Sequence, residues 1–506
     1  MNLIMSFRSL FLFIILSCSL LQAQDSTSVL LRIHEDLSPE NTFARRFYTN
    51  PANQHYARRY SLSELSAGYS SAAQQTNIQQ LGNGIRQFLI KAQSYYKINS
   101  ENTVFGNAHY KNGKRKNVRW NESSDYQIIY PYVTADSIGG DLSYEEYSFS
   151  GGYAKVLNKI TLGISADYRA LMEYRDIDPR PKNTVSDLNV STGISLNISD
   201  HYVLGSALNL QKYTQSNNLK FFSELGAPAV YHMVGLGVYN KLLTGNKLSS
   251  YYDGRGYGAN VQFFSKDRNG FGLLLGYHQF GYEKIMTEFQ NLVASTILEN
   301  QYEGEVSYFK KLKEKFWGAK IGLFYTDRTG KENIFDNQST TSYIKIAKHT
   351  KYTNQATSVV FSGLYYVPNP ELSWSIAPSF TLKNTAEKYL DPLRTIDLQQ
   401  GIGRLDFAIS KLLSTSLINV SASLEHNWIL SSEMELSDRK ANLIFNMLNY
   451  NFTFLSSPYT KINLAARWDY KYQPDLNFFV KTSLDYYSFP QKQNNTFFQM
   501  SIGLTF

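Results

Sequence analysis

Apolar and polar residues alternate with a period of two over unusually long runs of this chain. From Ile160 to Tyr174 the even positions are apolar, and most odd positions are polar. A helix would not separate the two kinds of residue in this way. At about 3.3 Å per residue the run reaches roughly 50 Å, and at a tilt near 40° it exceeds a membrane's apolar band of about 25 Å. The pattern therefore predicts a strand long enough to cross a membrane.

The same alternation recurs in residues 188–198, 418–428, 462–470 and 476–486. Turn residues separate the runs, and Lys266–Gly270 contains Asn-Gly, the strongest short hairpin signal. Hairpins make neighbouring strands antiparallel. We therefore predict an all-β fold, an antiparallel transmembrane β-barrel of about 16 strands, with a range of 14 to 20, because bacterial barrels normally have even strand numbers.

Longer polar stretches predict the outer loops, at about 111–143, 175–187, 213–228, 282–301, 327–341 and 384–400. Within the first stretch, Lys111–Lys116 is basic around Asn-Gly and predicts a solvated hairpin tip. Its alternative role is contact with lipopolysaccharide phosphates or with a partner. The charged, proline-containing cluster 175–182 predicts a surface loop with paired charges, and an inward-folded constriction is the alternative.

The first residues predict a segment that is removed from the mature protein. They carry one charge, Arg8, then an apolar run from Leu10 to Leu21 and the small residue Ala23. We expect a signal peptide at 1–23, and the alternative is a lipoprotein acylated at Cys18. Cleavage after Ala23 would remove the single cysteine, which excludes disulfides.

Two further regions follow the expected signal peptide. Residues 24–60 carry Leu30, Ile33 and Leu37 at helical spacing and predict a short periplasmic arm or plug. Residues 61–506 contain the alternating runs and predict the barrel itself. The alternation continues through this region without a shift in composition, so a second domain is not expected.

Composition agrees with a barrel in the cell outer membrane. The chain has 38 Tyr and 31 Phe, and only 18% of its residues are charged, against roughly 25% in soluble domains. Beyond the signal peptide no apolar stretch reaches the 18 residues of a helical span, so a closed barrel is the remaining way to cross lipid. The net charge of +8 is spread along the chain, and nucleic acid is not an expected partner.

The last ten residues, FFQMSIGLTF, place their apolar side chains on one face and finish with Phe506. A terminal strand of this kind is similar to the signal read by the barrel-assembly machinery. We therefore expect that machinery, outer-membrane lipid and lipopolysaccharide as partners, with Phe506 as the assembly signal. The alternative is an ordinary final strand of a soluble β-protein.

Several phrases together resemble a known family. They are YPYVTADSIGGDL at 130–142, YSFSGGYA at 147–154, YRALMEYRDIDPRP at 168–181, FFSELG at 221–226 and GLGVY at 235–239. From about residue 104 onward the chain resembles an uncharacterised family of outer-membrane β-barrel proteins of Bacteroidetes-type bacteria. The resemblance implies the fold and the location, and it carries over no functional residues.

The chemistry-bearing residues do not form an active-site motif. The eight histidines are scattered without metal-ligand spacing, and no hydrolase elbow, zinc-protease motif or phosphate loop occurs. Ser423 and His426 have opposite parity on a strand and would face opposite sides. We expect no enzyme activity, no cofactor, no metal and no catalytic residue.

The polar parity of the alternating runs predicts a charged barrel interior. Its expected lumen-facing charges are Lys91, Lys97, Asp167, Arg169, Glu173, Lys320, Glu425, Arg467, Asp469, Lys481 and Asp485. A charge is tolerable there only if water or a counter-charge reaches it. We therefore expect a channel or uptake-assisting protein for small polar solutes. The alternative is a barrel anchor whose outer loops dock a surface lipoprotein or receptor.

Overall fold

The structure is a computed structural model that describes residues 27–223, 229–245, 249–289, 291–336, 343–369, 371–437 and 442–506. The expected signal peptide and Cys18 lie outside the described residues. Within those residues, no helix is long and apolar enough to span a membrane.

Eighteen strands of the described chain form one antiparallel sheet. They are β1 (Leu62–Gln74), β2 (Gly84–Lys97), β3 (Asn102–Val118), β5 (Gly140–Leu157), β6 (Ile160–Tyr174), β7 (Arg180–Asn197), β8 (Tyr202–Lys220), β11 (Ser249–Ser265), β12 (Gly270–Met286), β13 (Leu292–Lys311), β14 (Phe316–Asp336), β15 (Ile344–Val367), β16 (Leu372–Leu390), β17 (Leu393–Leu412), β18 (Ser416–Leu436), β19 (Tyr459–Gln473), β20 (Leu476–Ser488) and β21 (Asn494–Thr505).

The remaining elements are short. The strands β4 (Thr134–Ala135), β9 (Tyr231–Gly235) and β10 (Val238–Tyr239) form a small separate sheet. The α-helices are α1 (Val29–Asp36), α2 (Pro39–Ala44), α3 (Tyr126–Ile129) and α4 (Leu443–Leu455). Short 3-10 helices cover Arg45–Tyr48, Asn53–Tyr56, Gln79–Leu81, Thr287–Phe289 and Pro490–Lys492.

The sheet closes on itself. Each barrel strand pairs with the next one along the chain, and β21 pairs with β1 in a ladder that places Leu504 opposite Leu65. Closure leaves no strand edge with unpaired backbone groups, which a barrel in lipid requires. The predicted all-β antiparallel barrel is confirmed. Its 18 strands lie within the predicted range and exceed the central value of 16 by two.

The two ends of the barrel have different connections. At one end, called here the short-turn end, tight turns join the strands, such as the turn between Ser265 and Gly270. Arg268 and Gly270 have positive φ values of 55° and 131°, which a hairpin turn requires, so the predicted hairpin is confirmed. The opposite end, called the long-loop end, carries the long connections, whose described parts include 119–139, 229–245 and 442–458.

Several predicted outer loops are strand instead. Most of 175–187 belongs to β7, and most of 282–301 belongs to β12 and β13. The described part of 327–341 belongs to β14, and most of 384–400 belongs to β16 and β17. The basic run from Lys111 to Lys116 lies inside β3, so its prediction as a hairpin tip is wrong. Lys111 binds Glu146 (2.6 Å) and Arg115 approaches Glu173 (3.5 Å) on the inner face. Polar residues continue in these strands because the interior supplies counter-charges, so polarity there did not indicate loops.

The two faces of the wall differ sharply. Ile164 on the outer face is 52% exposed, whereas its neighbour Ser165 is half-buried on the inner face. Outward aromatic rings make contact in two belts, one near the short-turn end and one about halfway along β12 to β14. On β14 the belts are marked by Trp317 and Tyr325, roughly 26 Å apart along the strand at 3.3 Å per residue. An apolar band between two aromatic girdles is typical of barrels that span a membrane.

Candidate functional site

The interior of the short-turn end is filled by residues 29–60, called here the plug. Phe47 lies at the centre of its apolar contacts, stacked on Phe264 of β11 and packed edge-on against Phe309 of β13. In a second apolar cluster, α1 of the plug packs against Leu62 and Leu417 of the wall. The helical spacing of Leu30 and Ile33 predicted α1. The plug therefore touches strands around most of the barrel.

The plug turn at residues 50–52 packs directly against glycines of the wall. Asn50 donates to the carbonyl oxygen of Ser206 (3.1 Å) and to Gln262 Oε1 (3.2 Å). A side chain at Gly163 would overlap the backbone of Pro51 and Ala52. Gly163 has no positive φ, so the absence of a side chain there serves the close approach of the plug rather than the strand itself.

Charged groups also attach the plug to the wall. Arg46 forms ion pairs with Glu303 and with Glu305 (3.0 Å), both on β13. Lys320 donates to the carbonyl oxygen of Phe43 (2.7 Å) and lies over the Phe43 ring. Glu305 and Lys320 are largely shielded from water, so their contacts contribute more than an exposed ion pair would, whereas Arg46 and Glu303 remain partly exposed.

Three segments fold into the long-loop end, and together they are called the cap. They are residues 119–139 with α3 and β4, residues 229–245 with β9 and β10, and α4. Ile129, Val234 and Leu448 from the three segments share one buried apolar cluster with wall residues such as Tyr252 and Tyr389. This cluster is larger than the one under the plug.

A buried ionic group holds the cap at its centre. Arg175 pairs with Glu122 and approaches Asp136 (3.4 Å), and all three side chains are almost completely buried. Arg169 of β6 forms a bidentate contact with Asp125, at 2.6 and 3.1 Å. The charged cluster 175–182 is therefore divided, because Arg175 folds inward whereas Arg180 pairs with Asp178 near the surface.

Between plug and cap the inner wall surrounds a space called here the chamber. Inward side chains at both ends are buried, but at mid-height several are exposed, namely Asn107, Asp167, Gln301 and Lys383. Small residues such as Ser358, Ser421 and Ser501 occupy other inward positions at this height. Exposed polar side chains that face the barrel axis require water around them.

The predicted lumen charges fall into three groups. Lys97 lies near His55 of the plug, Lys320 binds Phe43, and Arg467 lies near Asp36 and holds Asp469, so these four form the group at the plug. Arg169 and Glu173 lie at the cap, where Ser124 donates to Glu173 (2.6 Å). The chamber group is Lys91, Asp167, Glu425, Lys481 and Asp485.

Within the chamber group the charges are partly paired. Tyr459 donates to Glu425 (3.0 Å), and Arg404 lies 3.5 Å from the same carboxylate. Lys461 lies 3.5 Å from Asp485. The sequence alternation assigned these positions to the polar face but could not assign their partners.

Several important residues were not predicted from the sequence. Glu122, Asp136 and Arg46 lie in non-strand segments without period-two alternation, so no pattern marked them as interior. The one available signal was Asn50-Pro51-Ala52, a turn sequence that directly follows the helical spacing.

His55 of the plug is a half-buried titratable group outside the strands. Its Nδ1 lies 3.0 Å from Thr103 Oγ1, on the inner wall. Burial, together with the positive charge of Lys97, lowers the pKa of His55 to about 4. The imidazole is therefore neutral in the folded protein near neutral pH.

No constellation for catalysis or metal binding is seen in the described part of the chain. Groups of three or more potential metal-binding side chains do not occur among the described residues. Ser423 is buried on the inner side, whereas His426 contacts Thr460 and the Trp428 ring. Phe506 exchanges two backbone hydrogen bonds with Ser63 of β1, at 2.8 and 2.9 Å.

A closed antiparallel barrel with an apolar outer face, two aromatic girdles and a polar, partly filled interior defines the class of β-barrel membrane proteins. The chain belongs to the Family of unknown function (DUF6850), which it matches over residues 51–506. The match begins within the plug and covers the whole barrel. No curated protein matches this sequence.

Solved structures with a related shape include outer-membrane proteins. The ferric preacinetobactin receptor BauA of Acinetobacter baumannii has a TM-score of 0.39 and 8% identity, covering 88% of this chain and 80% of that one. A bacterial polysaccharide outer membrane secretin has a TM-score of 0.37 and 10% identity, covering 87% and 97%. At this level of similarity no property of those proteins transfers to this chain.

Proposed function

We propose that this protein is an outer-membrane transport barrel that admits small polar solutes to the chamber and releases them when the plug moves. The observation that carries the proposal is the set of exposed polar side chains between plug and cap, represented by Asn107, Asp167 and Gln301. A barrel that served only as an anchor would have no use for a hydrated internal space. Channel interiors, in contrast, are lined by polar groups that solutes can reach.

The plug is the more suitable moving part. Its apolar cluster is smaller than that of the cap, and apolar burial scales with area. Many of its other contacts are hydrogen bonds and ion pairs, such as those of Arg46 and Asn50, which water can replace as the segment moves. In the proposed orientation the plug and the short-turn end face the periplasm, and the cap faces outward.

The location completes the proposal. We propose that a signal peptide at 1–23 directs export of the chain. The barrel-assembly machinery then inserts the barrel through the signal at Phe506. The proposed source is a Bacteroidetes-type bacterium. Lipopolysaccharide is the proposed outer lipid, since the outward side chains of Arg86 and Lys114 lie above Tyr69 and Phe88 at the long-loop end. No enzymatic activity is part of the proposal.

Planar bilayer recording with a plug-loosening variant tests this function. Gly163→Val adds a side chain that overlaps Pro51 and Ala52 of the plug. We expect few openings from the wild-type protein and frequent discrete openings from Gly163→Val. Gly151→Val is the matched control, because a side chain there meets nothing within 4 Å, and it should record like the wild type.

The anchor function is the second candidate. The exposed side of α4 carries Leu443 (64% exposed), Tyr450 and Leu455, which is an apolar surface on the cap that a surface lipoprotein or receptor would cover. If the wild type and Gly163→Val were both correctly folded and neither showed any conductance in the bilayer experiment, transport would be contradicted and the anchor role favoured.

A further inference from the structure

A cavity of about 200 Å³ lies between the plug and the chamber wall. Leu37 and Pro39, at the junction of α1 and α2, form its plug side. Its wall side consists of small inward residues on β17 to β19, represented by Ala408, Ser421 and Ala465. Because these side chains are small, the wall does not fill the space against the plug. We call this cavity the basic notch.

Arg467 and Lys481 lie at one side of the basic notch. They are direct partners in the ladder between β19 and β20, and both point inward. Like charges directly opposite each other on neighbouring strands destabilise a sheet unless something compensates them. The arrangement therefore requires negative charge nearby.

The local carboxylates are engaged by Arg467. Its guanidinium donates to Asp469 (2.8 Å) and to Glu64 (2.8 Å), and it stacks 4.1 Å from the centre of the Phe479 ring. Two carboxylates, one ring and the fixed fork of the guanidinium hold this side chain in one position. Arg467 thus forms a rigid border of the notch.

Lys481 has no such partner. Among the residues that the structure describes, no carboxylate lies within 4.0 Å of its Nζ, and it makes no side-chain hydrogen bond. Its electrostatic neighbours are Arg467, Glu64, Lys91 and the plug residue Arg45, so three of the four are cations. Arg45 is exposed. The notch therefore carries a surplus of positive charge next to a small empty space.

We propose that the basic notch binds a small organic monoanion, whose carboxylate lies at Lys481 and whose apolar body lies against Ala408 and Ala465. The notch is smaller than the cavities of roughly 300 to 1,000 Å³ that hold drug-sized ligands, which limits the ligand to a compact body. The cation of Lys481 gains a charge-assisted hydrogen bond, and the ligand displaces water from the alanine surface.

This inference names a solute class for the proposed function, and it depends on that function for the passage of the solute but not for its binding. The contact of Leu37 and Pro39 with the same cavity places the ligand between wall and plug. A bound anion would therefore meet the segment that is proposed to move.

Isothermal titration of the folded, full-length protein in detergent with benzoate tests the site. Benzoate combines one carboxylate with a compact apolar ring, and benzyl alcohol is the uncharged analogue. We expect saturable binding of benzoate at one site and at least tenfold weaker binding of benzyl alcohol, since a hydrogen bond to a charged group contributes roughly 1.5 to 3 kcal/mol.

Three variants distinguish a specific benzoate site from nonspecific attraction of the anion to the positively charged interior. Lys481→Met removes the charge and Ala465→Leu fills the cavity while keeping the charge, and each should weaken benzoate binding about tenfold or more. Lys383→Met removes an inward lysine outside the notch and should stay within about twofold of the wild type. Heat-modifiable migration on gels checks that each variant is folded.

Several results would overturn the site. These are absence of benzoate binding, equal binding of benzyl alcohol, unchanged binding by Lys481→Met and Ala465→Leu, or equal weakening by Lys383→Met. Benzoate binding without any conductance in Gly163→Val would instead contradict transport and leave the site standing. Conductance without benzoate binding would contradict only the site.

Discussion

At the scale of single residues, the face of the sheet decides what a side chain contributes. Ile164 and Ser165 are chain neighbours, yet one is exposed toward lipid and the other faces the interior. Their sides follow from backbone geometry, because successive side chains of a strand point to opposite faces. Partners do not follow from it. Arg467 and Glu64 are 403 positions apart, and only the closure of the barrel brings them together.

Exchanging the polarity of one outward residue should destabilise the barrel. Ile164→Arg places a cation near the middle of the apolar band, and we expect the free energy of unfolding to fall by roughly 2 to 4 kcal/mol. Ser165→Thr on the inner face should change it by less than about 0.5 kcal/mol. Urea titration in lipid vesicles measures both. Equal effects of the two substitutions would show that the assigned faces are wrong.

His55 should make the plug sensitive to acid. Its pKa is about 4 in the folded protein and 6.5 in the unfolded chain, so the unfolded chain binds the proton more readily between these values. The stabilisation is therefore complete above pH 6.5 and is lost as the pH falls toward 4. The protection of plug amides against hydrogen exchange, relative to the intrinsic rate at each pH, should fall over this window.

Two substitutions control the acid prediction. His55→Gln should flatten the pH dependence of the plug's protection against exchange, because the side chain no longer titrates. His201→Gln, in an exposed turn at the short-turn end, should leave it unchanged. An unaltered pH profile in His55→Gln would contradict the assignment to His55.

At the scale of elements, strands were predictable and interior segments were not. Period-two alternation identified β6 and β7, and Asn-Gly identified the turn before β12. The same Asn-Gly signal failed at Asn112, because strand pairing on both sides with β2 and β5 outweighs a local turn preference. The cap segments have no single periodicity, since their conformation is set by contacts with the surrounding wall.

The absence of a side chain at Gly163 should determine how tightly the plug packs against the wall. Gly163→Val leaves the strand conformation acceptable but overlaps Pro51 and Ala52, so we expect faster hydrogen exchange in residues 45–57 and unchanged exchange in β6. Mass spectrometry of the folded protein measures both segments. Gly151→Val should behave like the wild type. Equal exchange in all three proteins would mean that the wall does not position the plug.

At the scale of the whole molecule, three parts of one chain form the interior, namely the wall, the plug and the cap. The wall supplies the charged and small polar residues, and the plug and the cap cover the two ends. Composition and alternation predicted a closed barrel with a polar inside. They could not predict 18 strands rather than 16, because strand boundaries within continuous polar stretches depend on pairing. They also could not predict which interior charges lie under the plug or the cap and which face the chamber.

The most direct test of the account is the accessibility of single cysteines on the two faces of the wall. The only natural cysteine is Cys18, within the expected signal peptide, so introduced cysteines can be read individually. A small, charged, membrane-impermeant thiol reagent is added to folded protein in lipid vesicles. We expect labelling of Asn107→Cys and Gln301→Cys in the chamber, and none of Ile164→Cys and Leu275→Cys in lipid. Unlabelled chamber positions, or labelled lipid positions, would contradict a hydrated chamber enclosed by the barrel.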